Sequence, residues 1–89
     1  MGATSIEYTV RQSEYESPQA AYRALVEEAE YNYGHDPYNG TISTCEFRGK
    51  IDRPCNDEEY EEALDDIHKR DVCYYEDGHT WVFIGWAAC

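Results

Sequence analysis

Residues 33–43 read YGHDPYNGTIS and set His35 and Asp36 side by side between Tyr33 and Tyr38. A histidine and a carboxylate are the groups from which general bases and metal sites are built. Either chemistry needs more than two sequence neighbours, because a base works only with a partner that aligns it and a reacting group within reach. No serine or cysteine is spaced as a nucleophile for His35, and no third ligand follows at helical spacing. The small residues have a simpler role in reversing the chain. Gly34 suits the left-handed conformation that ends a helix, Pro37 forces Asp36 out of the helical region, and Asn39-Gly40 is a turn dipeptide. The stretch therefore reads as a turn, with a polar recognition loop and a small hydrolase using His35 as the alternatives.

The remaining residues offer little to catalysis. Cys45, Cys55, Cys73 and Cys89 contain no close C-x-x-C pair, so they read as free thiols of a reducing compartment, not as a zinc or redox site. Neither G-x-G-x-x-G nor G-x-x-x-x-G-K-[ST] occurs, and DRPCNDEEYEE lacks the glycine and alternating oxygen ligands of a calcium loop. His68 reads as a helix-end residue and His79 as a strand-edge residue. The expectation is a non-enzymatic protein without cofactor or metal.

Charge carries the strongest functional signal. Nineteen acidic residues against seven Lys and Arg give a net charge of -12, which repels nucleic acid and anionic membranes and favours a cationic partner. The acids concentrate in DEEYEEALDD, where Asp57, Glu58, Glu59, Glu61, Glu62, Asp65 and Asp66 share ten residues. Like charges three and four residues apart destabilise a helix by about 0.2–0.5 kcal/mol per pair, and nothing inside the fold calls for so many. Two readings follow: a solubilising surface, or a surface made for a basic partner. In the second, Glu58, Glu62 and Asp65 form a row on successive turns that fits an arginine- and lysine-lined groove. Glu27, Glu30 and Asp36 would extend the row if the two helices of the chain pack side by side.

The elements that position these residues follow from hydrophobic period. Residues 5–10 alternate Ile6, Tyr8 and Val10 against polar neighbours, as in a half-buried strand. Ser17 caps a helix opening at Pro18, with Tyr22, Leu25, Val26, Ala29 and Tyr33 on one stripe. Residues 40–47 are rich in β-branched and aromatic side chains and read as a second strand. A basic connector with Arg48, Lys50 and Arg53 follows; these cations either tether the acidic half or stay solvated. Asn56 caps a second helix over 57–69, packed through Tyr60, Ala63, Leu64 and Ile67 and closed by His68, Lys69 and Arg70. Residues 72–76 and 79–86 form a hairpin about Asp77-Gly78.

The expected fold is a single α+β domain over residues 1–89, in the order β-α-β-α-β-β. It has a small, mainly antiparallel sheet with both helices on one face. The last strand carries Trp81, Val82, Phe83, Ile84 and Trp86 without alternation. It either lies at the centre of the sheet or meets a partner, and a structural or regulatory homodimer paired through this hairpin is an alternative function. The longest apolar run, WVFIGWAAC, is too short to span a bilayer, so a cytoplasmic location is expected.

In size and charge the chain resembles the small acidic proteins encoded by phages and mobile elements, which mimic DNA and block restriction or CRISPR effectors. The likeness is one of profile across all 89 residues, in a class united by charge and not by fold or motif. It implies that the chain inhibits a basic nucleic-acid-binding protein by occupying its groove. The chain departs from that profile in its nine tyrosines and apolar C-terminal strand. This departure suggests an aromatic contribution to affinity from Tyr31, Tyr38 and Tyr75, with the acids steering encounter.

Overall fold

The computed structural model describes residues 3–33, 42 and 45–88. Their order is β1 (Ala3–Arg11), a 3-10 turn (Gln12–Glu14), α1 (Pro18–Tyr33), β2 (Glu46–Lys50), α2 (Asp57–Asp66), β3 (Asp71–Asp77) and β4 (Thr80–Ala88). This is the β-α-β-α-β-β succession that the hydrophobic pattern implies. The strands make one mixed, mostly antiparallel sheet in the order β1-β4-β3-β2. β4 runs antiparallel to both neighbours, whereas β2 and β3 are parallel. A parallel pair cannot be joined by a tight turn, and α2 provides the crossover.

β4 occupies the interior of the sheet, and its side chains divide by parity. Trp81, Phe83 and Ala87 join α1 residues Ala21, Leu25, Val26 and Ala29 in one core cluster. Val82, Ile84 and Trp86 join Tyr60, Leu64 and Ile67, from α2 and the residue after it, in a second. The helices therefore cover opposite faces, not the shared face expected from the sequence. A strand apolar on both faces needs a cover on each, and one helix layer supplies only one. Residues 81–85 are buried within this chain, Trp86 is half-buried, and β4 is hydrogen-bonded on both edges, the central position that is one of the two expectations for this strand.

Several element boundaries move for physical reasons. β2 is Glu46–Lys50; it includes Glu46 and Phe47 of the run expected over 40–47 and continues past it through Arg48, while residues 40, 41, 43 and 44 of that run lie outside the described residues. Ile42 is fully buried in the α1-side core, outside any strand. β3 sets this register: the Glu46 N–H donates to the Arg70 carbonyl at 2.7 Å and the Ile51 N–H to the Tyr74 carbonyl at 2.8 Å. A bulge between Phe47 and Gly49 places Phe47 against Tyr22 and Tyr74, with ring centroids 5.0 and 5.7 Å away. α2 stops at Asp66, short of His68, Lys69 and Arg70, because Ile67 turns extended and buries itself in the α2-side cluster. Local signals fare better at helix starts, where Ser17 Oγ accepts from the Ala20 N–H at 3.1 Å.

Gly78 and Gly85 are required by geometry for different reasons. Gly78 supplies a positive φ of 61° in the loop that pairs Asp77 with Thr80. Gly85 lies opposite Val72, and a Cβ there would sit on the Asp71 carbonyl oxygen and 2.8 Å from the Val72 Cα. Gly85→Ala is therefore expected to destabilise the protein by about 1–3 kcal/mol, as overpacking does, and to lower the urea midpoint. An unchanged midpoint would contradict this close approach of β3 and β4.

Candidate functional site

α2 begins where side-chain oxygens meet its free amides. The Glu59 N–H donates to Asn56 Oδ1 at 2.8 Å, and Glu59 Oε2 accepts from the Cys55 N–H at 2.7 Å. This is a reciprocal arrangement close to a capping box. Asp57, Glu58 and Glu59 in the first turn favour the positive end of the helix dipole. At the far end Trp86 Nε1 donates to the Leu64 carbonyl at 2.8 Å, satisfying a terminal acceptor and fixing the helix on the sheet. Tyr60, Ala63 and Leu64 are half-buried, and all seven acids of the helix are exposed.

The cations are used elsewhere. Arg48 meets Glu46 at 2.8 Å and the buried Asp71 at 3.1 Å, Lys50 meets Glu76 at 3.7 Å, and Arg53 meets Asp77 at 3.3 Å. The connector does tether acids, but those of β2 and β3. Among the described residues Asp57, Glu58, Glu61, Glu62, Asp65 and Asp66 enter no ion pair and accept no side-chain hydrogen bond. Glu59 alone of the seven is engaged, in the cap.

The other sequence-derived candidates are not brought to this surface. Glu27, Glu30 and Tyr31 belong to α1, on the opposite side of the sheet, so they cannot extend the α2 row; Tyr31 projects there with 90% exposure. Asp36, Tyr38 and His35 lie outside the described residues, and with them the polar-loop and hydrolase alternatives. Tyr75 is buried against the α2-side cluster and is not a protruding contact. Cys73 is half-buried, and burial, then Asp71, pushes its thiol upward from its ordinary value, with Arg48 opposing. That is the wrong direction for a reactive thiolate. No group of three or more His, Cys, Asp or Glu able to hold a metal occurs among the described residues. No helix among them is long and apolar enough to cross a membrane.

The structure adds a residue that the sequence did not single out. Glu7 occupies the polar phase of β1, opposite Ile84 of the α2-side cluster, and stands near Tyr60. Burial first, then the Glu7 charge, pushes the Tyr60 phenol up to about 12. Alternation alone marked Glu7 as solvent-facing; only the position of α2 brings it into the site. Comparison with known proteins finds no matching family model, no matching curated protein and no matching solved structure.

Two outcomes are expected. Replacing Glu58, Glu62 and Asp65 by Gln, Gln and Asn should leave stability unchanged or raise it by about 0.2–0.5 kcal/mol per like-charge pair removed, with the gain shrinking as salt is added. A clear loss in urea unfolding would mean that the acids serve the fold. Tyr60, held above the ordinary tyrosine pKa of about 10, contributes stability that is full below that value. This contribution is lost as pH rises through about 12. Unfolding measured across this interval should show a shallower decline for Tyr60→Phe than for the wild type.

Proposed function

We propose that this protein binds a basic nucleic-acid-handling protein, such as a restriction or CRISPR effector, through the outer face of α2, and inhibits it by occupying its nucleic-acid groove. The observation that supports this reading is the row of six unpaired carboxylates on a helix capped at one end and anchored by Trp86 at the other. The ion pairs of Arg48, Lys50 and Arg53 neutralise acids on β2 and β3, and among the described residues none of these six carboxylates is paired.

Charge density gives the mimicry a physical basis. Ten helical residues span about 15 Å, so the seven acids of α2 average about one charge per 2 Å. Duplex DNA carries about one per 1.7 Å of axis. A groove lined with Arg and Lys meets a comparable linear charge without a sugar-phosphate chain. Since phosphate contacts dominate the affinity of most nucleic-acid grooves, such a surface competes without reading bases. The aromatic support expected from Tyr31, Tyr38 and Tyr75 is not part of this proposal.

Affinity capture at two salt concentrations provides the test. Capture should weaken steadily as the Debye length falls from about 10 Å at 0.1 M to about 3 Å at 1 M salt. The captured partner should release duplex DNA or RNA in proportion to bound protein. Changing Glu58, Glu62 and Asp65 to lysine should reduce capture by about tenfold or more, because like charges now face the groove, with the circular dichroism unchanged. A partner that holds this protein and nucleic acid together at full affinity for both would refute the groove-occupation reading.

A further inference from the structure

At the N-terminal foot of α2 lies a cavity of about 440 Å³, lined by Glu7, Tyr60, Tyr75, Asp57 and the 54–56 segment. Its size falls within the range of small-ligand sites. Three elements and a connector build it: Glu7 comes from β1, Tyr75 from β3, Asp57 and Tyr60 from α2. Tyr75 is only 9% exposed, yet its hydroxyl has no hydrogen-bond partner among the described residues. The ring is buried while the hydroxyl oxygen is not, and the side chain lines the cavity, so the phenol is open to a ligand there.

The chemistry of the walls selects a cation. No Lys, Arg or His lines the cavity, whereas two carboxylates do. Arg53, whose charge reaches Tyr75, is held by Asp77 at 3.3 Å and stands outside the lining. An anion would face the Glu7 and Asp57 carboxylates there, and the Glu59 and Cys55 amides are already taken by Asn56 Oδ1 and Glu59 Oε2. The larger groove at the other end of α2, about 700 Å³, mixes Arg48, His68 and Lys69 with Asp52, Asp66 and Asp71 on its walls, whereas among the described residues the only charged ones lining the N-terminal cavity are the carboxylates Glu7 and Asp57.

We propose that this cavity receives one arginine side chain of the basic partner, its guanidinium taken up by the Glu7 carboxylate and the phenols of Tyr60 and Tyr75. Guanidinium suits the site better than ammonium, since it is planar and less strongly hydrated. It presents several donors at once to a carboxylate and hydroxyl oxygens, and it is attracted to aromatic faces. The biological role assigned to the pocket rests on the reading of α2 as a surface for basic proteins. The pocket itself is tested without that partner.

The full-length 15N-labelled protein is titrated at low salt with Nα-acetyl-arginine amide, its lysine counterpart and the neutral citrulline counterpart. Saturable shifts centred on Glu7, Tyr60 and Tyr75 are expected with arginine, weaker ones with lysine and none with citrulline. Glu7→Gln should weaken arginine binding about tenfold, the loss of one charge-assisted hydrogen-bonded contact. Tyr75→Phe should weaken it as well, while the Glu58, Glu62 and Asp65 lysine variant should keep the shifts at the cavity. Equal binding of citrulline or lysine, unchanged affinity in Glu7→Gln, or shifts confined to Glu58, Glu62 and Asp65 would each overturn the arginine site. Those results leave the groove reading standing. Localised arginine binding by a chain whose lysine variant still captures its partner would instead retain the pocket and remove the acidic row.

Discussion

β4 exchanges hydrogen bonds with β1 on one edge and β3 on the other, and its side chains alternate between two hydrophobic clusters. Everything else is arranged to keep that strand dry. Phe83 and Ile84 are fully buried on opposite faces, and burying such a side chain stabilises a fold by roughly 1.5–3 kcal/mol relative to exposure. Two covers are needed, so α1 and α2 are driven to opposite sides. On the α1 side the cover is aromatic: Phe47 stacks on Tyr22 and Tyr74 and tilts against Phe83. The Tyr22 hydroxyl also donates to the Cys45 carbonyl at 2.6 Å, a bond that joins the helix to the chain entering β2.

The second cover decides where the charge lies. α2 touches the sheet through Tyr60, Leu64 and the turn at Ile67, leaving most of its circumference to water. Trp86 links the two roles, since its ring packs in the α2-side cluster while its indole N–H holds the Leu64 carbonyl. Rigid placement matters for any electrostatic partner. A carboxylate row on a fixed helix loses less conformational freedom on binding than the same charges on a flexible tail.

The cations have a different physical task. Parallel pairing of a five-residue edge strand to β3 is short and interrupted by a bulge. Arg48, Lys50 and Arg53 bridge this strand and its exit to Asp71, Glu76 and Asp77. Asp71 is the buried polar residue of the core, and Arg48 supplies its countercharge. Arg48, Lys50 and Arg53, three of the seven Lys and Arg, are thus engaged with β2 and β3 acids, not with those of α2.

The sequence by itself determined the order of elements, the hairpin, both helix starts and the exposure of Asp57, Glu58, Glu59, Glu61, Glu62, Asp65 and Asp66. These follow from side-chain period, capping and turn chemistry, which act over a few residues. It also carried the clue to β4, because a strand without alternation has no wet face. Only the tertiary structure placed this strand at the centre of the sheet, with a helix layer over each face. Long-range pairing likewise carries β2 beyond Phe47 to Lys50, since the backbone donors of Glu46 and Ile51 meet carbonyls of Arg70 and Tyr74. The separation of Glu27 and Glu30 from the α2 row, and the approach of Glu7 to Tyr60 and Tyr75, were decided in the same way. Which face of a sheet a helix covers depends on the sum of apolar surface across all strands, a quantity that no single segment of the chain contains.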